Sequence, residues 1–230
     1  MNNKILLINR DEDTCQGLTQ LLTQESYDIT VCRDGFDGLQ RAITEPYQLI
    51  MSDVSLPSLS GFELLKKLRA NTQTPVMMYS SREDSFDRIY ALELGADDYI
   101  VKGGDRRELV ARINAIVRRM QSFKSGRHSQ QITVNKVTLS LATREVYSHD
   151  MLLCLTGLEF EVLRFLMVNA GHTIAKNDIA QQVLRREVSY YDRSIDMHIS
   201  NIRKKIAKTT KEVKIKTVRG VGYIFLPGLD

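Results

Sequence analysis

Three polar residues in the first half of the chain, each at the end of a short apolar run, could together perform phosphoryl chemistry. Asp53 follows YQLIMS, Ser80 ends TPVMMYS and Lys102 ends DDYIVK. A carboxylate can accept a phosphoryl group as a nucleophile, while an ammonium and a hydroxyl can bind phosphoryl oxygens. Each residue alone could equally be a capping acid, a strand-end hydroxyl or a solvated charge, so the prediction depends on their meeting in one place.

Alternating strands and helices would bring these residues together. The apolar runs are KILLI (4–8), DITVC (28–32), YQLIMSD (47–53), TPVMMYS (74–80) and DDYIVK (97–102). Apolar residues three and four apart between the runs are typical of amphipathic helices. Five strands alternating with five helices predict a parallel sheet covered on both faces, a doubly wound α/β domain. Ligands bind such sheets beyond the carboxyl ends of the strands, so one shared cleft is predicted.

The two halves of the chain differ in net charge. Residues 1–120 contain 15 Lys and Arg against 18 Asp and Glu, whereas residues 121–230 contain 17 against 10. The resulting charges of −3 and +7 make the second half the candidate for binding a polyanion. We predict two domains, 1–120 and 131–230, joined by the polar linker QSFKSGRHSQ at 121–130.

The second half has a different pattern. Alternating apolar residues over 132–155 predict a small antiparallel sheet. Three helices are predicted, one beginning at the T-x-x-E capping box of Thr156, one over 176–184 and one from Asp192 to about Ala207. The closing KIKTVRGVGYIFL predicts a hairpin around Gly220 and Gly222.

The third of these helices has a basic face. Ile195, Ile199, Ile202 and Ile206 form a stripe that should face the core. The predicted exposed face comprises Arg193, Ser194, Met197, Ser200, Asn201, Lys204, Lys205 and Lys208, with His198 at its edge. Cations and amides on one helix suit a DNA major groove, with contacts to phosphates and base edges.

The hairpin distinguishes this helix from one with a merely solvated basic face. Arg219 is predicted near its tip, with Lys214, Lys216 and Thr217 on its strands. An arginine held there could enter an adjacent minor groove.

Several other classes of protein are disfavoured. Cys15, Cys32 and Cys154 show no CxxC or His-paired spacing, which argues against a metal site or a disulfide framework. The chain has no apolar run near the ~20 residues of a membrane span and no secretory leader, so we expect a cytoplasmic protein without a membrane partner. A flavodoxin-like cofactor binder or phosphohydrolase is the other interpretation of the first half. It lacks a glycine-rich phosphate loop and tryptophan, so we expect no enzyme.

The motifs of both halves resemble those of one family. SDVSLPSLSGFELL, PVMMYSS, GADDYIVK and RELVARINAIVRR resemble the receiver of OmpR/PhoB-type two-component response regulators, and LTGLEFEVL, DRSIDMHISNIRKKI and TVRGVGYIF resemble its effector domain. The resemblance implies a flavodoxin-like receiver of five parallel strands and a C-terminal winged helix-turn-helix. It implies Asp53 as phosphoacceptor, Ser80 and Tyr99 as switch residues and Lys102 as the phosphoryl-binding lysine.

The resemblance also implies partners. These are double-stranded DNA, a sensor histidine kinase, RNA polymerase at the loop 185–191, and a second copy of the chain. The implied dimer face, on the fourth helix, fifth strand and fifth helix, comprises Arg88, Ile89, Leu92, Asp97, Asp98, Glu108, Ala111, Arg112 and Arg119.

Two positions depart from the family pattern. Where such receivers place two carboxylates to hold Mg²⁺, this chain has Asn9 and Arg10, and the proline expected after Lys102 is replaced by Gly103. Mg²⁺ favours carboxylates, so no cofactor or only weakly held Mg²⁺ is predicted. We predict that Arg10 pairs with Asp53 instead.

Two interpretations of the receiver remain open. In the first, the site accepts a phosphoryl group poorly, and dimerisation and DNA binding by a sequence-specific transcriptional regulator are independent of phosphorylation. In the second, a kinase phosphorylates Asp53 in the conventional way, with Arg10 in solvent and Asp11 and Glu12 holding the metal through a shifted loop.

Overall fold

The chain forms two compact units, Met1–Met120 and Gln121–Asp230. The computed structural model describes residues 3–121, 131–184 and 193–228, without the side chains of 119–121. Apart from Gln121, the predicted linker therefore lies outside the described residues, as does the loop 185–191. Within the described ranges, no helix is both long and apolar enough to cross a membrane.

The first unit is a doubly wound parallel sheet, as predicted. Its strands are β1 (Lys4–Ile8), β2 (Asp28–Cys32), β3 (Leu49–Ser52), β4 (Val76–Ser80) and β5 (Asp98–Val101). Its helices are α1 (Glu12–Gln24), α2 (Gly35–Thr44), α3 (Gly61–Asn71), α4 (Ser85–Glu93) and α5 (Arg106–Gln121). The sheet order is β2-β1-β3-β4-β5, with every neighbouring pair parallel.

The strand order positions the cleft. β1 and β3 are adjacent although β2 lies between them in sequence, so the connections diverge at this pair and leave a crevice beyond their carboxyl ends. β3 is completely buried, and β1 is buried from Ile5 onwards, because helices cover both faces of the sheet. The Asp53 amide continues the ladder by donating to the Ile8 carbonyl at 3.0 Å. The residues that follow these two strands therefore lie side by side.

The described residues of the second unit form two small sheets and three helices. The first sheet has the order β6 (Gln131–Val134), β7 (Val137–Ser140), β8 (Val146–Ser148), β9 (Met151–Leu153). The helices are α6 (Gly157–Val168), α7 (Lys176–Ile179), which continues as a π-helical turn over Ala180–Leu184, and α8 (Ser194–Ile206). The second sheet has the order β10 (Ile174–Ala175), β12 (Gly222–Phe225), β11 (Ile215–Val218). This is a winged helix-turn-helix, whose wing is the hairpin β11–β12.

Local signals in the sequence predict the helices of this unit. Thr156 and Glu159 form both bonds of the predicted capping box at the start of α6. The predicted second helix is present, although its second half is π-helical rather than α-helical. The predicted N-cap of the third helix, Asp192, lies outside the described residues. The isoleucine stripe of α8 is buried, as predicted, and packs into the core of the unit.

The buried thiols give a first testable prediction. Cys15 and Cys32 are buried and Cys154 is exposed. Burial, followed by hydrogen bonding to Asp37, raises the pKa of Cys32 to about 12, so at pH 8 only about 10⁻⁴ of it is thiolate. In the native protein at pH 8, iodoacetamide should therefore modify Cys154 first, as measured by intact mass. Cys154→Ser should remove the fast phase, and a Cys32 that alkylates as fast as Cys154 would contradict this assignment.

Candidate functional site

Asp53, Ser80 and Lys102 lie at the carboxyl edge of the sheet, as predicted. The Lys102 Nζ is 2.7 Å from Asp53 Oδ2, and both side chains are largely buried. Asp53 Oδ1 accepts a hydrogen bond from the Ser55 amide at 3.2 Å. The Lys102 amide donates to the Ser80 carbonyl at 2.8 Å, which aligns the ends of β4 and β5. A carboxylate, an ammonium and a hydroxyl are thus provided by three adjacent strands.

Ser80 and Tyr99 both contact the loop after β4. The Arg82 amide donates to Ser80 Oγ at 3.3 Å, and the buried Tyr99 hydroxyl donates to the Arg82 carbonyl at 2.9 Å. Burial raises the pKa of Tyr99 further above neutral pH. The two predicted switch residues therefore bind the backbone amide and the backbone carbonyl of the same loop residue.

Asn9 is fully buried beside Asp53. Its Oδ1 accepts a hydrogen bond from the Asp11 amide at 2.9 Å, and its own amide continues the sheet by donating to the Cys32 carbonyl. Its Nδ2 has no hydrogen-bond partner within the part of the chain that the structure describes. The Asn9 Oδ1 therefore already accepts a hydrogen bond, and its Nδ2 is a hydrogen-bond donor that would repel a cation.

The predicted Arg10–Asp53 ion pair is wrong. Arg10 is exposed, and among the described residues it forms no salt bridge, whereas Asp53 pairs with Lys102. A guanidinium is costly to bury without a partner, and the partner position at Asp53 is already filled by an ammonium. Arg10 therefore contributes positive charge at the rim of the cleft instead of a contact inside it.

The two acids after Arg10 have other partners. Asp11 is the N-cap of α1 and accepts from the Thr14 amide at 2.8 Å, and hydrogen bonding from Thr14 lowers the pKa of this carboxyl. Glu12 pairs with Arg33 at 2.6 Å. Among the described residues, no group of three or more His, Cys, Asp or Glu could hold a metal ion.

The exposed surface of α8 is narrower than predicted. Arg193, Lys204 and Lys208 are exposed, and Met197 and Ser200 are half-buried. Ser194, His198 and Asn201 are buried at 4%, 1% and 6% exposure, so the prediction that they belong to the exposed face is wrong. They lie about a quarter turn to one side of the isoleucine stripe. The rest of the second unit packs against this side of α8 as well as against the isoleucine stripe.

Lys205 shares that flank. Its Nζ pairs with Glu159, a buried member of the α6 capping box. This half-buried lysine therefore joins α8 to α6. The prediction that Lys205 belongs to the exposed face of α8 is wrong for the same reason.

The wing places Arg219 at its tip. Arg219 and Gly220 follow β11 in the turn to β12, and Arg219 and Thr217 are exposed. Lys214 is not available at the surface, because it is 2% exposed and its Nζ donates to Asn135 Oδ1 at 2.7 Å. The wing thus presents fewer cations than the sequence suggested, with Arg219 at its end.

Comparisons with known proteins match both units. Residues 5–114 match the response regulator receiver domain, and residues 139–225 match the family described as transcriptional regulatory protein, C terminal. The transcriptional regulatory protein CpxR of Escherichia coli (strain K12) is 37% identical over 229 residues, which cover 97% of this chain and 98% of that protein. The CpxR homolog of Haemophilus influenzae is 36% identical over 223 residues, covering 96% and 98%.

This chain belongs to the OmpR/PhoB-type response regulators. A mutant of RitR shares 26% identity at a TM-score of 0.79, covering 98% of this chain and 99% of that chain. DrrB of Thermotoga maritima, described as an OmpR/PhoB homolog, shares 26% identity at a TM-score of 0.52, covering 98% and 100%. The response regulator is therefore a DNA-binding transcriptional regulator with a receiver domain.

The dimer face implied for the response regulator is partly internal. Leu92 is 3% exposed, and Asp97 is 4% exposed with an ion pair to Arg69 at 2.9 Å, so neither belongs to an exposed face. Burying an unpaired aspartate carboxylate is costly, but Arg69 of α3 supplies its countercharge. Arg119 lies in α5, and its side chain is outside the described set.

The remaining residues of that face include a charged trio. Arg112 binds Asp98 at 2.9 Å and also contacts Glu108. Ala111 and Glu108 are exposed, and Arg88 and Ile89 are half-buried.

The sequence did not identify three residues, Asp196, Arg203 and Tyr223, as part of the candidate site. Asp196 and Arg203 lie on the flank of α8 opposite Lys205, and both contact Tyr223 of the wing. Their spacing of seven residues puts them on one side of the helix, but Tyr223 is distant in sequence, so no local pattern identified the contact.

Proposed function

We propose that the receiver of this regulator is impaired as a phosphorylation site and that its dimerisation and DNA binding are independent of phosphorylation. The observation that carries the proposal is the end of β1, where Asn9 and Arg10 replace an acidic pair and Asp11 caps α1. Phosphoryl transfer depends on charge neutralisation by the metal, so a site that holds Mg²⁺ poorly should react slowly.

The side chains at the cleft fit a Mg²⁺ ion poorly. Mg²⁺ is held by one or two carboxylates among six oxygens in a near-octahedral arrangement. Of the described residues that follow β1 and β3 at the cleft, Asp53 supplies the one buried carboxylate, and Lys102 already neutralises it. Arg10 adds a permanent positive charge at the rim of the cleft, which makes the local potential less favourable for a cation. We therefore propose no bound cofactor.

The loop after Lys102 supports the same proposal. Gly103 has a φ of +88°, a left-handed conformation that proline, fixed near −65°, does not adopt. The loop that follows the lysine is thus built on glycine geometry, and it differs in conformation from one containing proline at this position.

Asp53→Ala should leave operator binding within about threefold of the parent protein, because the proposed regulator needs no phosphoryl group. Asp53→Asn is the matched control that keeps the size of the side chain. Affinities are measured by fluorescence anisotropy on a promoter fragment selected by genomic footprinting. A tenfold or greater loss in both variants would contradict the proposal.

A conventional regulator, phosphorylated at Asp53 by a sensor histidine kinase, is the second candidate. The ion pair between Lys102 and Asp53 favours it, because the lysine is in place to bind phosphoryl oxygens. Incubation with acetyl phosphate and Mg²⁺, followed by intact-mass measurement, separates the two. A stoichiometric phosphoryl adduct on Asp53 supports this second candidate.

The proposed partners follow from the same arrangement. We propose that Arg193, Met197, Ser200, Lys204 and Lys208 face the major groove and that Arg219 enters the minor groove. We propose a cytoplasmic location, because double-stranded DNA is the proposed partner, and we propose a second copy of the chain and RNA polymerase as further partners. We propose no enzymatic turnover; a colourless protein without phosphohydrolase activity is the expected result of purification.

A further inference from the structure

Tyr223 of the wing is held between two residues of α8. Its hydroxyl donates to Asp196 Oδ1, and the Arg203 guanidinium lies over its ring, 5.6 Å from the centroid. The tyrosine is 4% exposed. Asp196 and Arg203 are seven residues apart, which is about two turns, so one aromatic side chain contacts the helix at two levels.

Arg203 also crosses to the other strand of the wing. Its Nε donates to the Ile215 carbonyl at 3.0 Å, and its Nη2 donates to Thr217 Oγ1 at 2.9 Å. A planar guanidinium can make these in-plane bonds while its face stacks on an aromatic ring, and lysine could not do both. The side chain is therefore engaged by both strands of the wing at once.

Asp196 is fixed from a second direction. The Lys176 Nζ, at the start of α7, lies 2.9 Å from Asp196 Oδ2. The carboxylate thus links α7, α8 and the wing, while Arg203 links α8 with β11 and β12. We call Asp196, Arg203 and Tyr223 the helix–wing clamp.

We propose that the helix–wing clamp is a positioning device, which fixes the wing relative to α8 so that Arg219 and the exposed face of the helix engage DNA as one rigid reader. Preorganisation of two contact elements lowers the entropy that binding must overcome. The inference rests on the proposed DNA contact of Arg219. It gives Arg203 a role through the wing and not through a phosphate.

The free protein tests the clamp without DNA. In Arg203→Met, which keeps the aliphatic stem, amide hydrogen exchange in β11 should accelerate at least tenfold, while exchange in α6 stays unchanged. Tyr223→Phe, which keeps the ring and loses the bond to Asp196, should show a smaller acceleration of the same amides. Unchanged protection of β11 in both variants would overturn the clamp.

A double-mutant cycle on DNA tests what the clamp is for. Arg203→Met and Arg219→Ala should each weaken operator binding roughly tenfold, and the double variant should bind no more weakly than Arg219→Ala alone. Lys204→Met is the matched control: it removes one exposed cation from the same helix. Its effect should add to that of Arg219→Ala and reduce the slope of log affinity against log salt by about 1.

The outcomes distinguish a positioning role of Arg203 from a phosphate contact, and the clamp from the minor-groove contact of Arg219. Additive losses for Arg203→Met and Arg219→Ala, with a reduced salt slope for Arg203→Met, would show that Arg203 contacts a phosphate and would overturn the positioning role. Accelerated exchange together with a harmless Arg219→Ala would refute the proposed minor-groove contact, and with it the clamp's role in DNA reading, while the clamp itself would stand.

Discussion

A variant carrying Asn9→Asp and Arg10→Asp is expected to bind Mg²⁺ roughly a hundredfold more tightly than the parent protein. The double change removes one positive charge and adds two carboxylates beside Asp53, which lies across the crevice from the end of β1. Even after solvent screening, we expect about 3 kcal/mol of added attraction for a divalent cation. Calorimetric titration with MgCl₂ measures the gain.

The same variant should become competent for phosphorylation. With the metal held next to Asp53, acetyl phosphate should give an adduct in the variant and little or none in the parent, as measured by intact mass. Gln40→Asp with Arg107→Asp is the matched control, because both positions are exposed on helices and the net charge changes by the same amount without altering the end of β1. Equal Mg²⁺ affinity in parent and variant would contradict the argument that Asn9 and Arg10 disable the site.

Gly222→Ala is expected to destabilise the second unit by several kcal/mol and to abolish operator binding. A Cβ at this position would lie 1.9 Å from the Ile174 carbonyl oxygen and 2.9 Å from the Ala175 Cα, both backbone atoms of β10. Neither can give way without breaking the antiparallel pair that joins β10 to β12. The wing would therefore separate from the rest of its sheet.

Gly220→Ala is the matched control for this prediction. Nothing lies within 4 Å of a Cβ at Gly220, and its φ of +74° costs an alanine about 1–2 kcal/mol. Thermal melts followed by circular dichroism, with anisotropy on the operator fragment, compare the two variants. Equal melting temperatures for Gly222→Ala and Gly220→Ala would show that the close approach of β10 and β12 has little energetic weight.

The fold was predictable because its signals are local. Strands and helices follow from residue spacings of two and of three to four, and these spacings survive in the structure for all five strands of the receiver. The capping box at Thr156 and the buried isoleucine stripe of α8 were also predicted correctly from the sequence. Asp53, Ser80 and Lys102 were found together because parallel strands present their carboxyl ends at one edge.

Most of the errors concern side chains whose surroundings are distant in sequence. Asp97 was predicted at the surface, but Arg69 makes its burial possible. Asn201 was placed on an exposed face because a helical wheel distinguishes only the seam from its opposite side. A wheel carries no information about neighbours on the flanks, which the tertiary packing supplies.

The sequence by itself determined the two units, their strand and helix order, the family, and the replacement of an acidic pair by Asn9 and Arg10. Only the tertiary structure decided that Arg10 turns outward while Lys102 neutralises Asp53, and that Arg203 is committed to the wing. The physical reason is the range of the interactions. Backbone periodicity is set by residues within a few positions of one another, whereas the direction and partner of a charged side chain depend on groups that folding brings from far along the chain.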